Sequence, residues 1–552
     1  MTRSETSPFL APRRSYNSFS DIDESDIVSY VLQRRASMAS MARDNVPYTF
    51  AAANPVVPQD LTRTRSHASM VTSHTLDVSD ILSAHSVRPE PETDVSTEVQ
   101  ALLGYSFPLI LTFLLKYSFT VASVFSVGRL GLKELAAVSL STMTANISGY
   151  AIIQGVSTCL DTLCAQAYGR KDYRMVGVHA IRCSYFLLLL FVPMFVLWVF
   201  GATPILIAIC GHDKAELCQL AGDYLRVLSF GIPGFILFEV ATHFLQCQNI
   251  FHASTYVLAF CAPLNAFLNY FLVWDKTYGL GFIGAPLSVA ITDWVMCFMI
   301  FAYIFWVKGY ECWPKESVFH AIFFRNWSKM INLSVPGVLM VEAEWLAFEI
   351  ITFTAASFGT DVLAAQSIVT TTCALMYQIP LAFSVTISTR VAWYIGAASK
   401  RAAITATRSS IMCSLTLGLM TGIFLFAFRR PLASLYTNDQ SVIDFAAKVL
   451  VVASIYQLNE FLSCASGGVL RGQGRQKIGG YMNLFSYYFL ALPSAFIFAF
   501  YFKLELIGLW LGMIIALVVT STLQLYFVVT SDWDYIITQS INEAILDENN
   551  IS

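Results

Sequence analysis

Charged side chains are scarce in this chain. Lys, Arg, Asp and Glu together make up 13% of its 552 residues, about half the share a soluble domain carries. So few ionic groups cannot cover a water-facing surface, which excludes a string of soluble domains. With 56% hydrophobic residues, disorder, collagen and coiled coil are excluded as well. An excess of charge is also missing: the formal net charge of −3 argues against a nucleic-acid partner. The 12 cysteines show no paired metal-ligand spacing. Cys159, Cys261, Cys297 and Cys413 sit inside apolar runs, so the set reads as small packing hydrophobes rather than a disulfide framework. No Walker A string, zinc motif or Ser-His-Asp arrangement stands out. Neither an enzyme, a cofactor nor a bound metal is therefore expected, and ATP is not the direct energy source. The opening residues, MTRSETSPFLAPRR, are polar, so the first membrane span is expected to act as the targeting signal.

What is present is the pattern of an all-α polytopic membrane protein. From residue 101 to 530 the chain alternates apolar stretches with short polar breaks. The expected spans are 101–127, 135–157, 176–200, 216–245, 253–274, 282–307, 327–357, 362–388, 402–428, 440–465, 477–502 and 506–530. Each exceeds the ~20 residues that cross a ~30 Å hydrocarbon core. With the N-terminus inside, the inner loops carry Arg170, Lys171, Arg174, Lys308, Lys315, Arg325, Lys329, Lys400, Arg401, Arg408, Arg471, Arg475 and Lys477. The outer loops carry fewer basic residues, which places both termini in the cytosol by the positive-inside rule. Residues 1–97, rich in Ser, Thr, Asp, Glu, Arg and Pro, read as a disordered cytosolic tail. Its Arg13-Arg14-Ser15 and Arg34-Arg35-Ala36-Ser37 strings resemble kinase sites, so Ser15 and Ser37 are candidate phosphorylation sites and a kinase a candidate partner; a merely solvated tail fits as well. An acidic cytosolic tail is expected over 531–552.

An internal repeat sets the architecture. Pro108 precedes Gly131 by the same interval as Pro336 precedes Gly359, and Leu135-Ala136-Ala137 with Ser139 matches Leu363-Ala364-Ala365 with Ser367. Leu245-Gln246-Cys247-Gln248 echoes Leu470-Arg471-Gly472-Gln473. Six spans per repeat is an even number, so both halves begin on the same side, as in transporters built from parallel repeats. The expected domains are a six-helix lobe over 98–307, a cytosolic linker over 308–326 and a second six-helix lobe over 327–530.

Ionisable groups inside the spans carry the chemistry. A carboxylate at the bilayer centre costs about 2.5–3.5 kcal/mol on insertion scales, so such a group faces a cavity or a partner. The seventh span, SVPGVLMVEAEWLAFEIITF, holds Glu342, Glu344 and Glu349. At 100° per residue Glu342 and Glu349 share a face and Glu344 lies about 140° from Glu349. All three cannot meet lipid, and carboxylates crowded in a low dielectric take up and release protons as a coupled set. Bonds to neighbouring helices are the structural alternative for any one of them. Glu460 in the tenth span fits either role by residue type. Lys116 in the first span could neutralise an acid, contact substrate or snorkel. Glu239 and Asp293 are also intramembrane, with facing undetermined. Trp345 and Tyr377 offer faces to an organic cation, though most aromatics here read as packing. The sequons at Asn146 and Asn332 fall in or beside spans and read as chance.

The blocks GLKELAAVSLSTMTANISGY into CLDTLCAQAYG (131–169), SVPGVLMVEAEWLAFE (334–349), FGTDVLAAQSIV with QIPLAFSVTISTRV (358–391) and SCASGGVLRGQGRQKIGG (463–480), with SDWD at 531–534, resemble the multidrug and toxic compound extrusion (MATE) family, eukaryotic members especially, over about 98–534. The resemblance implies a two-lobed antiporter that exports small organic cations or amphipathic metabolites in exchange for protons, or for sodium in some branches. It carries a binding and proton-coupling role to Glu344, Glu349 and Glu460. Asn146 matches a polar position of animal members. Asp161 and Gln166 fall in the LDTLCAQAYG signature, where a structural role at the inner end of the second span fits as well, and Pro336 and Pro380 belong to the signature blocks. Two departures stand out: Thr371 replaces a glutamate found in animal members, and Ala392-Trp393 replaces a Gly-Asn pair. Two rivals remain: a lipid-linked flippase, which would want a basic lumen, and a transport-inactive membrane sensor signalling through the tail. The vacuolar membrane is weakly favoured over the plasma membrane.

Overall fold

The computed structural model describes residues 93–549 apart from 276 and 278. Most of the expected N-terminal tail, with Ser15 and Ser37, lies outside the described residues. Twelve helical spans follow in order: α1 (Val95–Gly128), α2 (Leu132–Gly169), α3 (Tyr173–Cys210), α4 (His212–Leu228 and Ile232–Gln246), α5 (His252–Trp274), α6 (Gly281–Trp306), α7 (Ser328–Ala355), α8 (Thr360–Gly396), α9 (Lys400–Ala427), α10 (Gln440–Gly472), α11 (Gln476–Tyr501) and α12 (Glu505–Val529). Ten are long and apolar enough to cross a membrane, and α4, bent by 54° at its break, makes an eleventh. The remaining one, α7, is a 28-residue helix with three glutamates at its centre. A further helix, α13 (Trp533–Asn549), occupies most of the segment expected as an acidic tail. The twelve spans belong to one compact unit, residues 91–537.

Several spans run further than hydropathy suggests. α2 continues to Gly169, α8 to Gly396 and α10 to Gly472, where breaks were expected near 157, 388 and 465. The reason is that Asp161, Arg390 and Arg471, which look like loop residues, are 4%, 6% and 8% exposed and find partners across the bundle. Arg471 is thus not a loop residue but lies in the last turn of α10, and Arg408 lies within α9. α1 starts at Val95, capped by Asp94, which accepts from the Thr97 amide at 2.9 Å; Thr93 and Asp94 are therefore structural, not tail.

The spans form two six-helix lobes, α1–α6 and α7–α12. The stretch between them is not a loose linker. It folds into short turns at Tyr310–Cys312 and Ala321–Phe324, and buried Arg182 of α3 donates to the Ile322 carbonyl at 3.0 and 3.2 Å. All twelve cysteines are unpaired thiols, in keeping with their reading as packing residues.

The face at which α1 begins is called proximal below. In the proximal half the lobes touch closely. Thr162 of α2 donates to the Arg471 carbonyl at 2.6 Å, Gln166 to the Gly472 carbonyl at 3.2 Å, and Gln476 of α11 to the Thr158 carbonyl at 3.2 Å. Helix ends meet so tightly that only glycine fits: a Cβ on Gly169 would lie 2.1 Å from the Trp393 carbonyl oxygen, and one on Gly396 2.1 Å from that of Gln166. Glu98 and Arg390 pair across the same boundary. Beyond these contacts, toward the distal face, the lobes part.

Candidate functional site

The space between the lobes is a cavity of about 450 Å³, joined by shared lining residues to a smaller pocket of about 80 Å³ nearer the proximal seal. The larger cavity is lined from α1 at 113–123, from α2 at 142–154, from α8 at 370–381 and from α10 at 456–460. On α2, α8 and α10 the lobe–lobe contacts lie proximal to these stretches. The cavity is thus a blind chamber on the distal side of the seal.

The acids of the C-terminal lobe line it. Glu344 and Glu460 face both chambers, and Glu349 faces the larger one. Glu344, Trp345, Phe348 and Glu349 fall at i, i+1, i+4 and i+5, one broad face of α7. Glu342 is on neither lining; it lies on the side of α7 toward Tyr488. The expectation that grouped it with the binding acids is not met by the geometry, because the cavity-facing arc of α7 is centred between Glu344 and Glu349.

The lining acids are thinly partnered. Tyr456 approaches Glu344 Oε1 at 3.5 Å, the limit of a hydrogen bond. Glu460 is 2% exposed; its Oε1 accepts from the Cys464 thiol at 3.6 Å, and its Oε2 has no hydrogen-bond partner among the described residues. A buried carboxylate left this way needs a proton or a cation from the cavity to offset its desolvation. Around them Trp345, Tyr377, Phe348 and Tyr456 present rings. Tyr456 packs on Trp510 at 5.6 Å between centroids, and Trp510 donates to Gln366 at 2.9 Å, which fixes that wall.

The N-terminal lobe supplies a different wall. Lys116 reaches Glu239 Oε2 at 2.8 Å and lies 4.6 Å from the Phe235 ring centroid. It neutralises an acid rather than snorkelling to an interface. One turn on, His243 contacts Asp161 at 2.7 Å, and Arg471 of the other lobe stands 3.7 Å from the second Asp161 oxygen. Asp161, reasoned to be an inner-end signature residue, lines the smaller pocket. Gln166 is not on either lining and serves the seal. Pro336 and Pro380 lie inside α7 and α8 and are on neither lining.

Asn146 lines the larger cavity and opens a π-turn, Asn146–Tyr150, within α2; such turns recur at functional sites. Of the positions that depart from animal members, Thr371 is off the lining while its neighbour Thr370 is on it. Trp393 sits in the proximal seal, its ring 5.9 Å from that of Tyr168. Both glycosylation-like strings lie inside helices. Sequence reasoning did not place Gln154, Tyr150 or His243. His243 follows Glu239 by four residues, and that one-face spacing of two ionisable groups inside an apolar span was the available signal.

The arrangement of the spans in two repeated lobes is what known proteins share with this chain. The MatE family model matches residues 108–271 and 336–497, segments that begin on the two prolines of the internal repeat. The chain belongs to the MATE family of transporters. An uncharacterized transporter of Saccharomyces cerevisiae is 41% identical over 442 residues, covering 80% of this chain and 63% of the relative's length; the chain thus spans under two thirds of that protein. Protein DETOXIFICATION 16 of Arabidopsis thaliana is 32% identical over 80% of this chain and 90% of its own. The human multidrug and toxin extrusion protein 1 is 29% identical over 82% and 78%. The crystal structure of the eukaryotic MATE transporter AtDTX14 superposes with a TM-score of 0.74 at 24% identity, over 82% of this chain and 99% of that one, which establishes the fold.

Proposed function

We propose that this MATE transporter exchanges small organic cations or amphipathic metabolites for protons by alternating access between its lobes. The observation that carries the reading is the pair Glu344 and Glu460, two thinly partnered acids from different helices facing one chamber that is sealed on one side. A proton or a cation can satisfy such a pair, and competition between them couples the two fluxes, because a conformational equilibrium shifts only by differential binding. Glu349 extends the acidic wall. One pH unit is worth about 1.4 kcal/mol, or roughly tenfold accumulation for an electroneutral one-for-one exchange.

The basic loop residues gather on the proximal side, which supports a cytosolic proximal face and cytosolic termini. The chamber then faces the opposite compartment. An acidic lumen there, as behind a vacuolar membrane, supplies the proton gradient. A flippase reading is weaker, because the basic groups on the lining, Lys116 and Arg471, face Glu239 and Asp161. A sensor reading rests on the tail. Deletion of residues 1–92, which spares the Asp94 cap, should leave exchange intact in a transporter and abolish signalling in a sensor.

The test is uptake of labelled organic cations into proteoliposomes under an imposed pH gradient, wild type beside Glu344→Gln. Gradient-driven uptake that the folded variant loses supports the reading. Equal uptake by both removes Glu344 from the mechanism, and no uptake across a broad panel, with a sodium gradient also tried, moves the cargo to lipids or anions.

A further inference from the structure

Asp293 on α6 is 2% exposed and lines the larger cavity from the N-terminal lobe. Its Oδ2 has no hydrogen-bond partner among the described residues. It is buried by close approach of α4 at its bend: a Cβ on Gly231 would come 3.0 Å from that oxygen. An isolated carboxylate in such a place is unstable unless a proton or a cation completes it. Lys116 lies within electrostatic reach of it but makes its close contact with Glu239, at 2.8 Å. The same cavity is also lined by Asn146, Ser123, Tyr150 and Tyr224, and the two tyrosines lie within electrostatic reach of Asp293. Tyr150 is held edge-on against Phe235, with ring centroids 4.8 Å apart and planes at 84°. A carboxylate beside two tyrosine rings is the chemistry that receives a substituted ammonium.

Building on the cation-exchange reading, we propose that Asp293 centres a second ammonium subsite, so that the cavity selects substrates carrying two cationic groups. One group meets Glu344, Glu349 and Glu460 on the wall of the C-terminal lobe. The other meets Asp293 on the facing wall. A diammonium substrate bridges the lobes, and its affinity depends on how far apart they stand. Such a ligand binds one conformation better than another, whereas a monocation held by one lobe senses the change less.

The experiment measures binding and uptake of hexamethonium, a bis-quaternary ammonium, and tetramethylammonium by the full-length protein in proteoliposomes. Wild type should prefer hexamethonium by about tenfold or more, the effect of one added ammonium contact desolvated in the cavity. Asp293→Asn should raise the KM for hexamethonium by a similar factor and leave that for tetramethylammonium within twofold. Equal loss for both probes would mean a proton-binding or structural role and overturns the proposal, as does no loss for either. The wild-type preference stands as a separate check if the variant fails to fold: equal affinity for the two probes also overturns it. Transport of neither probe by wild type, where other organic cations are exchanged, sinks the diammonium selectivity alone; transport of no cation at all sinks the exchange reading beneath it.

Discussion

Arg390 of α8 donates to Glu98 of α1 at 3.2 Å through Nε, joining the two lobes, and the Tyr394 hydroxyl donates to the same carboxylate. Both charges are buried, Glu98 at 0% and Arg390 at 6% exposure. Removing one partner of such a pair strands the other and costs about 3–5 kcal/mol. On the alternating-access proposal the lobes separate here to expose the chamber to the proximal side, and that energy then bears on the balance between states.

Glu98→Gln should therefore favour separation of the proximal ends. Spin labels at Lys171 and Ala397, beyond the ends of α2 and α8, would report a longer mean distance in the variant. An unchanged distance distribution would mean that the pair holds the fold and not the gate.

Gly396→Ala inserts a methyl 2.1 Å from the Gln166 carbonyl oxygen. Overpacking of this kind costs about 1–3 kcal/mol, and relaxation moves the lobes apart. The same label pair should lengthen, and exchange should slow by roughly tenfold at about 1.4 kcal/mol. Retention of wild-type rates would show that the helix ends shift freely.

Glu342→Gln and Glu349→Gln should part company, because only Glu349 lines the chamber. We expect the KM for an organic cation to stay within twofold in the first and to rise about tenfold in the second, one lost charge contact. The opposite order, in the same proteoliposome assay, would place the binding face of α7 elsewhere.

Lys116→Met leaves Glu239, 7% exposed at its side chain, without its cation. Thermal unfolding in detergent should show marked destabilisation by the single change. The double change Lys116→Met, Glu239→Gln should recover most of it, since a buried pair replaced whole is near neutral while a broken one is not. Additive losses would assign Lys116 a role beyond neutralising Glu239.

The twelve spans and their grouping into two lobes were legible because apolar length and an offset repeat do not depend on tertiary contacts. That Glu344, Glu349 and Glu460 need a cavity or a partner was legible because an acid in an apolar run is costly, and a binding role for them came only from the family resemblance. Span ends were not: Asp161, Arg390 and Arg471 are indistinguishable from loop charges until the facing lobe supplies their partners. The separation of Glu342 from its neighbours was hidden for a related reason. Helical angles say which residues share a face, and only the neighbouring helices say which face is lined by the chamber. Glu239 and Asp293 illustrate the same gap, one neutralised by Lys116 and the other left open, with nothing local to tell them apart.

The π-turn Asn146–Tyr150 gives α2 one residue more than an ideal helix would need for the same rise. Its distal part is rotated by about 100° relative to the register that the proximal part would impose. Asn146 therefore owes its place on the cavity wall to chain length as much as to identity. Deleting one residue, such as Ile147, would remove the π-turn and swing Asn146 off the wall, while Gly169 and the seal below keep their positions. Along this stretch the protein is sensitive to insertion and deletion in a way that a scan of substitutions would not detect.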